Sequence, residues 1–266
     1  MSRYNFKFGD NWISELGVIS TETPPIEIAE RDCSMVDIPG RDGSDYIDNG
    51  RYLNVEFTRE VSLIGRKNFP VEEKAARFVN SFAYLHGYHT FEDTDHNDMY
   101  TEAVLMNLAE VNRDMRTLNT AKLKFSRKPY WYLKSGQEMV SYTREEGYAG
   151  VSLFNPFGAS ALPYFKFKLL TTGAMSGTIA IQVTTTLDGV RITKDFSYTF
   201  NWGEKYCYFV IDVENRRITV ENNQGRVLMY VDGEVPCELG PTKSIIKLTS
   251  SNPVETMSIA PRWRCL

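Results

Sequence analysis

The chain has 266 residues, 42% of them apolar, with a formal net charge of −4 and a pI near 5.6. That length bounds it at one large or two modest domains, and the apolar fraction suffices for packed cores, which excludes wholesale disorder. The acidic balance excludes a nucleic-acid binder held by phosphate contacts, and it is uneven: residues 1–133 carry 16 Lys and Arg against 21 Asp and Glu, the rest 14 against 13.

The opening residues MSRYNFKFGDNW lack the basic-then-apolar pattern of a leader, and no apolar run approaches the roughly 20 residues that cross a bilayer. The expectation is a chain made in the cytoplasm, without membrane insertion. Cys33, Cys207, Cys237 and Cys265 are scattered with no close pair of the zinc-binding kind. They read as free thiols of a reducing compartment.

The stretch VDIPGRDGSDYIDNGRY (36–52) is dense in turn residues. Val36 and Ile38 end a strand, Pro39-Gly40 suits the centre of a type II turn, Asp42-Gly43 makes a second turn, and Asn49-Gly50 a third that leads into a strand from Tyr52. Such a succession predicts a hairpin arm standing away from the core. Arg41, Asp42, Asp45, Tyr46, Asp48, Arg51 and Tyr52 mix both charges with tyrosines, which suits contact with another protein chain. A solvated surface loop is the alternative.

Period-two alternation follows in YLNVEFTREVSLIG (52–65), with Leu53, Val55, Phe57, Val61 and Leu63 on one face. FPVEEKAARFVNSFAYLHG (69–87) instead spaces Val71, Ala75, Phe78, Val79, Phe82 and Leu85 as a helix, with Pro70 at its start, Glu72 and Glu73 in its first turn and Gly87 at its close. With no second helix to cover it, this stripe must lie on a sheet. HGYHTFEDTDHND (86–98) gathers all three histidines with Glu92, Asp93, Asp95 and Asp98, the residue types of metal binding or acid–base chemistry. However, His86 and His89 straddle the helix end, and the acids lack the glycine and terminal glutamate of a calcium loop. A solvated acidic connection is the simpler reading, with no catalytic residue, metal or cofactor assigned.

Alternation resumes through residues 101–133, and a boundary falls near 133–136, where KPYWYLKSGQEM passes from an aromatic cluster into polar residues. Beyond it come short alternating segments at regular spacing and no helix, with hairpin turns expected at Asp188-Gly189, Asp232-Gly233 and 222–225. The fold class is mainly β: a β-sandwich with one helix, then a second β-sandwich. FNWGEKYCYF (200–209) is the best ligand candidate, since Trp202 beside Glu204 could stack and hydrogen-bond a sugar; aromatic packing at a strand edge is the plainer account. No nucleophile elbow, phosphate loop, zinc-protease or dinucleotide motif occurs, so an enzyme is not expected.

Five stretches occur in the order of a known family. IPGRDGSDYIDNGRYLNVEF, AKLKFSRKPYWYLKSG, LFNPFGASALPYFKFKL, CYFVIDVENRRI and the ending IAPRWRCL together resemble the distal tail proteins (Dit) of long-tailed, non-contractile phages. The resemblance implies a virion protein of the tail tip. Its first domain would be a ring-forming belt at 1–133, possibly with 250–266, and its second a galectin-like or carbohydrate-binding-module-like sandwich at 134–249. Six copies would form a closed ring as a baseplate hub. That homohexamer would join the tail tube above to the tail-associated adhesin or lysin below, and surround a channel through which DNA passes without specific binding. NPFG (155–158) and WGEK (202–205) echo galectin strings, marking Asn155, Trp202 and Glu204 as the carbohydrate contacts of an alternative reading, an adhesin module that recognises the host surface. Phe157 stands where the galectin arginine would be, which removes hydrogen bonds a sugar needs. A hydrolase would need a paired-acid or zinc site, and a tube protein lacks the second sandwich.

Overall fold

The structure is a computed structural model describing residues 4–20, 23–64, 71–115, 118–169, 176–201, 207–252 and 254–266. The chain divides into two compact units, Met1–Trp131 with Leu266, and Tyr132–Cys265. It is mainly β in both.

In the first unit the strands are β1 (Phe6–Phe8), β2 (Asn11–Trp12), β3 (Val18–Ser20), β4 (Arg31–Asp37), β5 (Ser44–Tyr52), β6 (Val55–Ile64), β7 (His89–Asp93), β8 (Met99–Met115) and β9 (Leu118–Arg127), with helix α1 (Val71–Ala83) between β6 and β7. The main sheet runs β2-β1-β7-β8-β9-β6-β3, and each pairing along it is antiparallel. The alternation expected in 52–65 holds for Val55, Phe57, Val61 and Leu63, all buried. Leu53 departs from it at 41% exposure, because β6 begins only at Val55.

Phe57, Phe91 and Phe125, from three different strands, meet with centroids 5.2 to 5.5 Å apart, and Phe6 and Phe8 join them. Helix α1 closes the layer as its spacing predicts: Val71, Phe78 and Phe82 are buried, and Phe82 stacks on Phe8 at 5.9 Å. Each fully buried Phe contributes roughly 1.5–3 kcal/mol relative to exposure, so this aromatic layer dominates the unit's stability. Pro70 lies outside the described residues.

β10 (Trp131–Leu133) crosses the division between the units. The second unit then contains β11 (Val140–Thr143), α2 (Arg144–Ala149), β12 (Val151–Asn155), β13 (Tyr164–Leu169), β14 (Ser176–Leu187), β15 (Val190–Asn201), β16 (Tyr208–Asp212), β17 (Arg217–Glu221), β18 (Val227–Tyr230), β19 (Thr242–Asn252), β20 (Val254–Ala260) and β21 (Arg264–Cys265). One sheet runs β11-β20-β13-β16-β17-β18, the other β12-β19-β14-β15. Their inner faces share one core, with Phe165, Phe167, Phe209 and Ile211 of the first meeting Ile179, Ile181, Tyr198 and Leu248 of the second. That is a β-sandwich. β20 lies between β11 and β13, so residues 254–260 belong to this sandwich.

Three local details differ from expectation. The second unit does contain a helix, the six-residue α2, started by a capping box in which Thr143 and Glu146 each satisfy the other's backbone N–H. Asp188-Gly189 is a two-residue hairpin turn with both φ positive, as expected, and 222–225 turns on the Asn222 carboxamide. Asp232-Gly233, by contrast, follows β18 into irregular chain and joins no strand pair.

Candidate functional site

β4 and β5 form a sheet of their own, pairing among the described residues only with each other. Its tip follows from local chemistry: Arg41 N–H donates to the Ile38 carbonyl across Pro39-Gly40, with Gly40 at φ 84°, the type II turn that this dipeptide predicts. The expected third turn is absent as a reversal. Asn49-Gly50 is instead a bulge inside β5, where Arg31 pairs Tyr52 but Cys33 pairs Asp48. Gly50, at φ 73°, absorbs the extra residues, and its N–H donates to the Asp48 carboxylate at 2.8 Å.

The charged residues picked out by sequence are brought together within the arm. Arg31 Nε donates to Asp48 Oδ2 at 2.7 Å and its Nη1 to the Tyr52 hydroxyl at 3.2 Å; Arg51 Nε meets Asp32 Oδ2 at 2.6 Å; Arg41 Nη1 meets Asp45 Oδ1 at 2.9 Å. Hydrogen bonds from Asn49 and Arg51 hold the Asp32 carboxyl below its usual range, and one from Arg31 does the same for Asp48. These pairs neutralise one another in cis. Asp42 stands exposed at the tip.

The apolar residues are left over. Met35 (67% exposed) and Tyr46 (54%) face each other on one side of the ribbon. Val36 (43%) and Ile47 (50%) sit diagonally on the other, and Ile38 lies beside the tip. Among the described residues no further strand lies on either edge, and at the base the Tyr52 ring meets Tyr130 edge-on at 6.0 Å. A two-stranded ribbon in that condition is marginally stable alone, and its unpaired edges could template pairing with another chain. Sequence reasoning named the charges and missed Met35 and Ile47. The signal was there: Met35-Val36 and Tyr46-Ile47 are adjacent apolar pairs, which break the one-sided alternation of a core strand.

Just before the arm, residues 23–30, which belong to no helix or strand, are fastened from beneath. Glu27 accepts two hydrogen bonds from Arg59, at 2.7 and 3.0 Å, while its carbonyl accepts from Arg127 Nη2 at 2.8 Å. Both arginines are buried. Arg59 interrupts the apolar face of β6 for this purpose, and its Nε donates to the Tyr4 hydroxyl, which in turn donates to Asp93. Ile26 and Ile28, on either side of Glu27, point outward at 87% and 69% exposure.

The histidine stretch is dispersed. His89 packs edge-on to Phe8 and its Nε2 approaches the His86 carbonyl, whereas His96 stacks on Trp131 at 3.9 Å and bonds Asp93 through Nδ1 at 2.8 Å. Among the described residues no group of three His, Cys, Asp or Glu is close enough to hold a metal ion. In the second unit, Trp202 and Glu204 lie outside the described residues. Asn155 is 2% exposed, its amide bridging the Ala159 and Gly240 carbonyls and its Oδ1 accepting from Phe157 N–H. A cavity of about 470 Å³ is lined by Val213, Glu214, Arg216, Glu234, Cys237 and Glu238 among others. Burial pushes the Cys237 thiol up, away from the thiolate a nucleophile needs.

These features define a mainly β chain of two units, the first carrying a projecting ribbon. Among solved structures, the chain is similar over 100% of its own length and 100% of the other's to the Dit protein of phage SPP1, described as a paradigm of the hub adsorption apparatus in phages that infect Gram-positive bacteria, with a TM-score of 0.65 and 12% identity. The fold is therefore Dit-like. A chain of the phage P2 baseplate in its activated conformation matches 97% of this chain and 98% of its own, with a TM-score of 0.47 and 10% identity. No family model and no curated protein matches the sequence.

Proposed function

We propose that this protein is a non-enzymatic, structural hub of a phage tail tip. Its first unit closes a homohexameric ring through the β4–β5 arm, around a channel through which DNA leaves, and the ring joins the tail tube on one side to a tail-associated adhesin or lysin on the other. The observation that carries this reading is the arm, a separate ribbon with exposed apolar side chains on both faces and, among the described residues, no further strand on either edge. The likeness in fold to the SPP1 hub protein along both whole chains supports it. An unlike-to-unlike contact of this kind leaves a surface bare at each end unless the chain of copies closes. The excess of acids in residues 1–133 suits a channel that phosphates pass without sticking.

Solution mass of the purified chain, followed by electron microscopy of the particles, tests the reading. A closed ring of six is expected. A monodisperse monomer at high concentration overturns it.

A further inference from the structure

We propose that the arm of one copy docks on the Ile26–Ile28 ridge of the next. This rests on the ring reading above and names the surface that receives the arm.

The ridge is an exposed apolar strip with an expensive foundation. Ile26 and Ile28 point outward while the residue between them is tied inward by two buried guanidiniums, Arg59 on its carboxylate and Arg127 on its carbonyl. The two arginines also bond the Tyr4 hydroxyl and the carbonyls of Lys128 and Pro129, so the segment is tied into the buried polar network of its unit, and a surface fixed in this way avoids part of the ordering cost of binding.

The occupant follows from what the chain itself leaves uncovered. The arm departs at Arg31, directly after the ridge, and Val36 stands about 17 Å further along the strand. The arm thus runs away from its own ridge. Ile26 and Ile28 on the one hand, and Met35, Val36, Tyr46 and Ile47 on the other, stay exposed in the isolated chain. Three of the arm's ion pairs are closed within it, so apart from the exposed Asp42 at the tip its remaining unmet chemistry is apolar side chains and backbone edges. The ridge offers the same apolar chemistry: two exposed isoleucines flanking an anchored glutamate. Every copy carries one arm and one ridge, so docking in trans satisfies all of them at a one-to-one ratio.

The test is a charge exchange. A chain with Ile26→Lys and Ile28→Lys has a spoiled ridge and a native arm; a chain with Ile47→Glu has a native ridge and a spoiled arm. All three positions are exposed, so both chains should melt like the wild type, and circular dichroism checks this. Each variant alone is expected to be monomeric where the wild type forms rings, with association weakened at least ~30-fold by the charge placed against an apolar partner. Mixed in equal amounts they should reassemble, because lysine then meets glutamate at one contact and two native surfaces meet at the next. Rings formed by the lysine variant alone overturn the ridge assignment and leave the ring reading standing. Variants that stay apart when mixed also overturn it. A monomeric wild type removes the ring itself, and this inference with it.

Discussion

Arg59 and Glu27 meet end-on, Nη1 to Oε1 at 2.7 Å and Nη2 to Oε2 at 3.0 Å, although 32 residues separate them. The guanidinium is almost wholly buried and the carboxylate only partly so. Removing the acid leaves a buried cation uncompensated. Glu27→Ala is therefore expected to cost about 3 kcal/mol in urea denaturation, and Glu27→Gln less, because the amide oxygen still accepts one hydrogen bond. An unchanged urea midpoint for Glu27→Ala would mean that water reaches the guanidinium.

Asp93 ties stability to pH. Burial pushes its carboxyl up, but the His96 ring and backbone N–H and the Arg59 charge outweigh this and hold it below the usual carboxylate range. Since the folded value lies below the unfolded one, near 3.9, the contribution is complete above that pH and disappears as the pH falls through the folded value. The stability gap between wild type and Asp93→Asn, read by urea melts at about pH 6 and about pH 3, should narrow in acid. A gap of constant size would show that Asp93 acts by shape alone.

The arm's charges are expected to be dispensable for assembly. Arg41 and Asp45 pair with each other, as do Arg51 with Asp32 and Arg31 with Asp48, all on an exposed ribbon. Such pairs are screened by salt and hold little. Arg41→Ala with Asp45→Ala should form rings as the wild type does, and ring mass should be unchanged from low to high salt. Rings that dissolve in salt would return the charges to the interface.

Hydrogen exchange should report the arm directly. In a monomer an isolated ribbon opens readily, so amides of 31–37 and 44–52 should exchange far faster than those of β6 and β9 in the main sheet. On assembly they should become protected. Equal exchange in monomer and ring would place the arm outside the contact.

Gly240 has no room for a side chain. A methyl there would collide with the Thr186 carbonyl, and its own N–H and carbonyl are held by Thr185 and Asn155. Gly240→Ala is expected to destabilise the second unit by at least about 3 kcal/mol, seen as a lowered melting temperature. An unchanged melt would require the chain at Gly240 to move away from Thr186 of β14 at little cost.

Much of this architecture was legible in residue order. Periodicity is a local property: period two marked the strands, period 3.6 marked α1, and Asp188-Gly189 and Pro39-Gly40 set their turns because dihedral preference belongs to the residues themselves. Even α2 was announced by Thr143-Arg144-Glu145-Glu146, a capping box passed over among the strands. The sequence by itself determined a mainly β chain and a turn-rich arm at 36–52 with a defined tip. What only the tertiary structure decided is which groups remain unmet. Arg59 finds Glu27, Arg31 finds Asp48 across a bulge, and Asn155 spends its amide on Gly240. Exposure and partnership depend on contacts between distant residues, which no window of sequence contains. For that reason residue order shows both charge signs and tyrosines on the arm, whereas the pairing of those charges and the exposure of Ile26 and Ile28 came only from the fold.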